Sequence, residues 1–450
     1  MPFAAYRRFV IPLLRVAATV LGLVVLSGCD TFLGETDDGP PLPGTRIDVL
    51  TLDSGIEPDP VIADLDVVLP LPTVNSTWSQ PGGNASHTPY HLALGPNPEV
   101  VWRQDVGEGS DDEQEILTQP VIVDGVVYTM DAVSIISAFQ AVDGKQLWRT
   151  DLEDETEDDG FFGGGIAYEN GRIFATTGFA KVFALDAQNG EIVWSAEVPG
   201  PVHGGPAVQD GSLYVITLDN QLTVLSTQDG RQLWNHVGLE EIASYLGTAA
   251  PAVQGDAVVV PYSSGQLLAF LTENGRVLWD ESLKSSIVFD PLADIAQVRG
   301  LPVIDRGAVF AISHAGRMVA IDLRQGIRAW DIDVGGVQMP WVAGNFIFLV
   351  TNDSQLVCLR RDDGRVRWVQ SLPRYEDEED QTGALHWTGP VLAGDRLIVG
   401  GSNGTAISVS PFTGEILGSL ELPDSVAVTP VVADNTLYFL TDNATLVALR

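Results

Sequence analysis

Acidic and histidine side chains are the groups in this sequence whose chemistry suits a metal ion or proton transfer. Six acids lie within residues 153–159, five more fill residues 376–380, and His87 and His91 fall in one five-residue window. A calcium loop needs oxygen ligands at ordered spacing around a Gly turn, which neither acidic run has. The two histidines have no third ligand nearby at zinc-type spacing. The sequence therefore predicts no catalytic residue, no metal site and no cofactor, and it favours solvated surface for the acidic runs.

Cysteine chemistry is predicted at Cys29, one of two cysteines in the chain. Three arginines precede an uncharged run over residues 16–26, which has the layout of a signal peptide and is too short for a membrane span. Leu26-Ser27-Gly28-Cys29 resembles the lipobox of bacterial lipoproteins, in which the peptide is cut before the Cys and the thiol is acylated. We therefore expect a signal peptide over residues 1–28 and a lipid anchor on Cys29. Arg7-Arg8 leaves a twin-arginine export signal as an alternative.

The segment that follows, residues 29–97, is predicted to be a flexible tether followed by an irregular stretch. It is rich in Gly, Pro and Asp and shows no sustained period. Trp78, His87, Tyr90 and His91 are expected to pack on the folded body or to lie exposed. Asp30 resembles the signal that retains enteric lipoproteins in the inner membrane, and because this rule varies between bacterial groups, the anchor alone leaves both membranes open.

Composition excludes several classes of partner. The 450 residues carry 60 acidic and 24 basic side chains, a formal charge of −36, and 45% of them are hydrophobic. Nucleic acid is excluded as a partner because binding phosphates requires a Lys/Arg footprint. The hydrophobic fraction is high enough for a folded core despite the acidity.

A repeat of roughly 45 residues fills the rest of the chain. Its signature is a Gly followed four residues later by Trp, as in Gly190 and Trp194. Gly414 predicts an eighth aromatic residue at position 418, but Gly418 stands there instead. The cofactor interpretation of these indoles is less favoured than packing between repeats. The tryptophans assigned to packing are Trp102, Trp148, Trp194, Trp234, Trp279, Trp330 and Trp368.

Each repeat also has an earlier half, in which a Pro precedes short apolar runs joined by Asp-Gly or similar turns. Such turns between alternating runs predict antiparallel hairpins. Four short strands every 40–50 residues are typical of propeller blades. We therefore predict one all-β domain over residues 98–450, an eight-bladed β-propeller with four antiparallel strands per blade. The strand around Trp102 is expected to complete the last blade, which begins at Pro430, and so to close the ring.

The pattern Ala-x-Asp-x-x-x-Gly-x-x-x-Trp at residues 184–194 resembles the repeat of pyrroloquinoline-quinone-type eight-bladed propellers. This resemblance specifies a fold more strongly than an activity. One alternative is a quinoprotein dehydrogenase, or another propeller that binds a small molecule on its axis. The resemblance implies calcium, quinone and usually two adjacent cysteines for such enzymes, whereas Cys358 has no neighbouring Cys and is expected to be a small buried residue.

The other alternative is the BamB family, which combines this propeller with a lipobox and a short tether. That resemblance implies a non-catalytic scaffold on the outer membrane, facing the periplasm, within the β-barrel assembly (BAM) machinery. Its implied partners are the POTRA domains of BamA, other BAM subunits and unfolded outer membrane proteins. Two neighbouring loops are implied to contact BamA, and Leu246 stands where the family carries an Arg, which Arg299 is able to replace. The alternative is that these are simply long surface loops; their candidate residues are Tyr245, Leu246, Asp290, Asp294 and Arg299.

Overall fold

The computed structural model describes residues 56–152, 163–239, 247–284 and 297–450. Within these ranges the chain forms β-strands, turns and irregular connections, with no helix. The predicted signal peptide and Cys29 lie outside the described residues. No helix in the described ranges is long and apolar enough to cross a membrane.

Eight four-stranded antiparallel sheets form the blades of a ring. The first of the described strands, β1, covers Val100–Asp105 and belongs to the last blade. The strands of blades 1 to 4 follow in chain order: β2 Val121–Val123, β3 Val126–Met130, β4 Ile135–Gln140 and β5 Gln146–Asp151; β6 Gly164–Glu169, β7 Arg172–Thr177, β8 Lys181–Asp186 and β9 Ile192–Glu197; β10 Ala207–Gln209, β11 Ser212–Ile216, β12 Gln221–Ser226 and β13 Gln232–Val237; β14 Ala252–Gln254, β15 Ala257–Pro261, β16 Gln266–Leu271 and β17 Val277–Ser282.

Blades 5 to 8 repeat this arrangement, with one extra hairpin after blade 6. Their strands are β18 Val303–Asp305, β19 Ala308–Ile312, β20 Met318–Asp322 and β21 Arg328–Ile332; β22 Trp341–Ala343, β23 Phe346–Val350, β24 Gln355–Arg360 and β25 Val366–Ser371; the hairpin β26 Tyr375–Asp377 and β27 Thr382–Ala384; β28 Trp387–Ala393, β29 Arg396–Gly401, β30 Thr405–Val409 and β31 Ile416–Glu421; β32 Val431–Ala433, β33 Thr436–Leu440 and β34 Thr445–Leu449.

The ring closes as the sequence predicts. β1 pairs antiparallel with β34, so the eighth sheet has the order β1-β34-β33-β32. The first and last of the described strands therefore share one sheet, and the closed ring leaves no blade without a neighbour. The prediction of an eight-bladed all-β propeller is confirmed.

Burial follows the position of each strand in its blade. The inner three strands are mostly apolar and buried, as in β23, where all five residues are buried. The outermost strands alternate between exposed and partly buried residues, as in β9. This alternation is expected for a strand with one face on the core and one face in water.

The seven tryptophans of the repeat join neighbouring blades. Each indole Nε1 donates a hydrogen bond to a backbone carbonyl of the next blade, at 2.8 to 3.2 Å. The ring lies against the Gly of that blade's last turn, where a Cβ would come within 2.5 to 2.9 Å of a Trp atom. These glycines also have positive φ, as Gly326 does at +69°. The Gly and the Trp of one repeat therefore serve two different junctions.

A small residue, Ala or Cys, lies opposite six of the seven indoles in the adjacent strand, and Val224 lies opposite Trp234. Trp148 is paired with Ala138, and Trp279 with Ala269. At Trp368 the small residue is Cys358, which is fully buried. Burial raises the pKa of the Cys358 thiol, so that the neutral form is favoured. Cys358 therefore occupies the position that Ala has in other blades, and it is a packing residue.

Candidate partner-binding rim and axis

The two predicted partner loops belong to one end of the ring. In a blade of four alternating strands, every connection from the outer strand to the next blade's inner strand lies at the same end. We call this end the upper rim. Residues 238–251, between β13 and β14, and residues 283–302, between β17 and β18, are two such consecutive connections.

Four of the five candidate residues, Tyr245, Leu246, Asp290 and Asp294, lie outside the described residues. The described flanks of their loops meet each other. Gln297 Nε2 donates a hydrogen bond to the Gly247 carbonyl at 3.0 Å. The Arg299 guanidinium lies beside Gly247, with Nε 3.5 Å from the position that a Cβ would take there. The structure therefore places the fifth candidate, Arg299, against the other loop's flank.

Arg299 also lines a cavity on the axis of the ring at the upper rim. The cavity has a volume of about 140 Å³ and is formed by the connections that lead into the inner strands of six blades. Its polar side chains include Glu115, His203 and Gln338. Burial lowers the pKa of His203, which favours a neutral imidazole at neutral pH.

Acidic residues occupy two described connections of the same rim. One lies between β1 and β2, and the other contains the hairpin of β26 and β27, where residues 376–380 are all exposed. The run at residues 153–159 lies outside the described residues. The acids of the first connection are Glu108, Asp111, Asp112, Glu113 and Glu115.

Below the cavity the axis is filled by residues 73–94, which we call the plug. This segment hydrogen-bonds to the inner strand of all eight blades. Trp78 exchanges two backbone hydrogen bonds with Ile122 of blade 1, at 2.7 and 2.9 Å. The other contacts are Ser79 with Tyr168, Gln80 with Val208, Ala85 with Val253, Ser86 with Ile304, Tyr90 with Trp341, Leu92 with Leu392, and Asn75 with Val432.

The plug supplies partners that the inner strands lack. An inner strand has no neighbour on its axial side, so its central N–H and C=O groups point into the channel and require partners. In blade 3 the Gln80 side chain takes this role, since Oε1 accepts the Val208 N–H at 2.8 Å and Nε2 donates to its carbonyl at 3.1 Å. Trp78 is fully buried and stacks on Trp341 across the channel, with centroids 6.5 Å apart. The plug is therefore part of the core.

Both histidines of the five-residue window lie buried in this plug. The Nδ1 atoms of His87 and His91 each lie 2.7 Å from a backbone carbonyl, those of Pro302 and Pro70. Burial lowers the pKa of His87 to about 4, although the hydrogen bond to Pro302 opposes the shift. Sequence reasoning allowed packing of these residues on the body but missed the position of the segment on the axis, because the segment has no period; Trp78 and the two histidines were the available signal.

The residues on the axis do not fit the calcium and quinone of the dehydrogenase alternative. Calcium takes six to eight oxygen ligands, usually several from carboxylates. Glu115 is the one carboxylate among the described residues that line the axial cavity. Within the described ranges, no group of three or more His, Cys, Asp or Glu is arranged to hold a metal ion.

One serine pattern that sequence reasoning passed over also needs a structural account. Gly400-Gly401-Ser402-Asn403-Gly404 matches the Gly-x-Ser-x-Gly form of a nucleophile elbow, which requires a sharp turn from a strand into a helix. Here it forms the turn between β29 and β30. The Ser402 Oγ accepts the backbone N–H of His386 at 3.0 Å. Ser402 therefore stabilises the connection that leads into β28.

Comparisons with known proteins agree with the fold. A family model described as outer membrane protein assembly factor BamB matches residues 132–370 and 375–450. Outer membrane protein assembly factor BamB of Salmonella typhimurium is 30% identical over 363 residues, which cover 78% of this chain and 88% of the relative.

Two solved structures share the architecture. BamB from Moraxella catarrhalis superposes with a TM-score of 0.67 at 17% identity, covering 79% of this chain and all of that one. Quinohemoprotein alcohol dehydrogenase from Comamonas testosteroni gives 0.64 at 12% identity, covering 83% and 80%. Likeness at these identities shows the fold alone, whereas the family match extends over most of the sequence. The chain belongs to the BamB family.

Proposed function

We propose that this protein is a non-catalytic, lipid-anchored scaffold of the BAM machinery. It binds the POTRA region of BamA, associates with other BAM subunits and assists unfolded outer membrane proteins on their way to BamA. It is anchored through Cys29 in the outer membrane and faces the periplasm.

The observation that carries this proposal is the meeting of the two loop flanks at the upper rim of a BamB-family propeller. Arg299, Gln297 and Gly247 bring the ends of residues 240–246 and 285–296 to one place. These described flanks belong to rigid blades, and anchoring of this kind lowers the cost of ordering a binding surface. The family resemblance assigns BamA to this surface.

The chemistry of the rim indicates how the contact works. Leu246 and Tyr245 supply apolar surface, while Asp290, Asp294 and Arg299 supply charges. Acids of two other connections on the same rim, those between β1 and β2 and between β25 and β28, favour a basic partner surface and speed its approach. Because exposed charges are screened by salt, we expect the association rate to fall as ionic strength rises.

Binding of the purified full chain to the POTRA region of BamA, measured by biolayer interferometry, tests this proposal. Leu246→Asp, Asp294→Lys and Arg299→Glu should each weaken binding about tenfold or more, which corresponds to about 1.4 kcal/mol. Val142→Asp is a matched control, because Val142 is 65% exposed in a turn at the opposite end of the ring. Equal loss in the control, or unchanged binding in all three rim variants, would place the contact elsewhere.

The dehydrogenase alternative predicts a different result for the same purified protein. With calcium and pyrroloquinoline quinone added, it requires a bound-quinone absorption spectrum and alcohol-dependent dye reduction. We expect neither signal, and either one would overturn the scaffold proposal.

A further inference from the structure

The junction between blades 7 and 8 lacks the indole that joins the other blades. Gly418 pairs with Ser408 in the same register in which Trp368 pairs with Cys358 and Trp330 with Ala320. The backbone of β31 therefore follows the repeat, and only the side chain is missing.

The absence of the indole has a structural cause in blade 8, the blade that the indole would contact. At the other junctions the indole lies on the Gly of a hairpin turn between the last two strands of the next blade. In blade 8 those two strands are β34 and β1, which come from distant parts of the sequence and are joined by backbone pairing of Arg450 with Glu99. Asn97 and Pro98, which lead into β1, line the junction in place of that turn.

An open cavity with largely apolar walls remains at this junction, and Arg396 and Ser408 also line it. Its volume is about 290 Å³, and a Cβ added at Gly418 would meet no atom within 4 Å. Gly414, in the preceding turn, shows the contrast, since a Cβ there would come within 2.9 Å of Trp368. The side chains that form the apolar walls are Ile398 and Leu420 of blade 7 and Leu437, Phe439 and Leu449 of blade 8.

The strand beside the cavity also has a free edge. β31 is the outermost strand of blade 7, and among the described residues no strand pairs with its outer side. Residues 416–420 carry no charge, and Ile416 and Leu417 are about half exposed, at 49% and 55%. An uncharged edge with unpaired N–H and C=O groups is a template for an added strand.

A glycine in an edge strand favours one kind of partner residue. An aromatic side chain on a paired strand is able to cover the glycine and restore the packing that it lacks. Seven junctions of this molecule show that an indole fits between the adjacent strand of its own blade and the next blade. Exposed Glu415 and Glu421 flank the uncharged residues 416–420, so a segment with Lys or Arg beside its aromatic residue is complementary in charge.

We propose that the junction of blades 7 and 8 is a docking site for an extended segment of a partner protein. The segment adds to the outer edge of β31 and lays a tryptophan side chain over Gly418 into the cavity, with basic residues next to Glu415 and Glu421. This site lies on the outer wall of the ring and is separate from the BamA contact proposed for the upper rim.

A short peptide derived from the chain's own outer strand β9 tests the site. The probe is Lys-Ile-Val-Trp-Ser-Ala-Lys, which places residues 192–196 between two lysines and carries a fluorescent label. Fluorescence anisotropy should show saturable binding to the full chain. Replacing the probe's Trp by Ala should weaken binding at least tenfold, and bound probe should slow amide hydrogen exchange in β31.

Filling the cavity from within the chain provides the decisive variant. Gly418→Trp should weaken probe binding at least tenfold without lowering the melting temperature, because Gly418 has a negative φ and open space around it. Ser408→Arg is a second variant that fills the same cavity. Val193→Trp, at an exposed site on β9, is the matched control and should bind as the unaltered chain does. The proposal would be overturned if the probe did not bind the unaltered chain, or if Gly418→Trp and Ser408→Arg bound the probe as tightly as the unaltered chain does.

Discussion

At the scale of single residues, the Gly and Trp of each repeat are specified by different contacts. Trp279 packs across to the turn containing Gly326, where a Cβ would come within 2.5 Å of the Trp side chain. The indole also donates to the Leu323 carbonyl at 2.8 Å. Because neither residue type is easily replaced at such a contact, their spacing was readable in the sequence and predicted the blades.

Removing both sides of one junction should reveal their coupling. We expect Trp279→Ala to lower the free energy of unfolding by about 3–5 kcal/mol. Gly326→Ala should cost about 1–3 kcal/mol from positive φ and steric overlap with the Trp. In the double variant the overlap is absent, so the loss should be smaller than the sum by about 1 kcal/mol.

Urea unfolding of the three variants measures this coupling. Gly307→Ala is the control for backbone strain alone, since Gly307 has φ +77° and no atom within 4 Å of an added Cβ. It should cost less than Gly326→Ala. Strictly additive losses would show that the indole and the glycine turn act independently.

At the scale of elements, strands were predictable and the plug was not. Strand positions follow from local signals such as the Asp-Gly turn at Asp210 and Gly211, which joins β10 to β11. The plug has no such signal, because its partners are backbone groups of inner strands far away in the sequence. Gln80 illustrates this, since Val208 lies 128 positions away and contributes only backbone atoms to the contact.

The sequence predicted the position of the candidate loops between blades but not the contact between their flanks. Their place between blades followed from the repeat, and the closeness of their flanks required the structure, because Gln297 meets the backbone carbonyl of Gly247. The cavity beside Gly418 had a visible signal, an interrupted repeat. Its volume depends on how β34 and β1 meet, which the sequence pattern alone did not specify.

The plug should make stability depend on pH through His87. Burial holds its pKa at about 4 in the folded protein, below the ordinary value of 6.5. As pH falls from 6.5 towards 4, the unfolded chain binds a proton that the folded chain does not, so folding is destabilised. His87→Asn keeps a donor for the Pro302 carbonyl and has no group to protonate.

Urea unfolding of both proteins at pH 8 and pH 5 checks this expectation. Between these conditions the unaltered chain should lose about 2 kcal/mol more than His87→Asn, given about 1.4 kcal/mol for each pK unit. Other acid-sensitive groups are common to both proteins and cancel in the comparison. Equal losses would mean that His87 is protonated to the same extent in the folded and unfolded chains.

At the scale of the whole molecule, ring closure determines which surfaces are exposed to partners, and net charge determines which partner surfaces are favoured. Closure through β1 and β34 makes a rigid ring whose upper rim holds the described flanks of the two candidate loops, while the plug fills the axis. The net charge of −36 favours solubility and basic partner surfaces, and it does not specify the fold. The charge and the filled axis agree with the scaffold proposed above, whose proposed contacts lie on the upper rim and the outer wall of the ring.

The most direct test of membership in the BAM machinery is recovery of the native complex. The tagged full chain would be purified from detergent-solubilised outer membranes, and the proteins bound to it identified by mass spectrometry. We expect BamA and other BAM subunits to be recovered with the unaltered chain, and BamA to be depleted with Arg299→Glu. Purification of the intact chain from these membranes without BamA would contradict the proposed function.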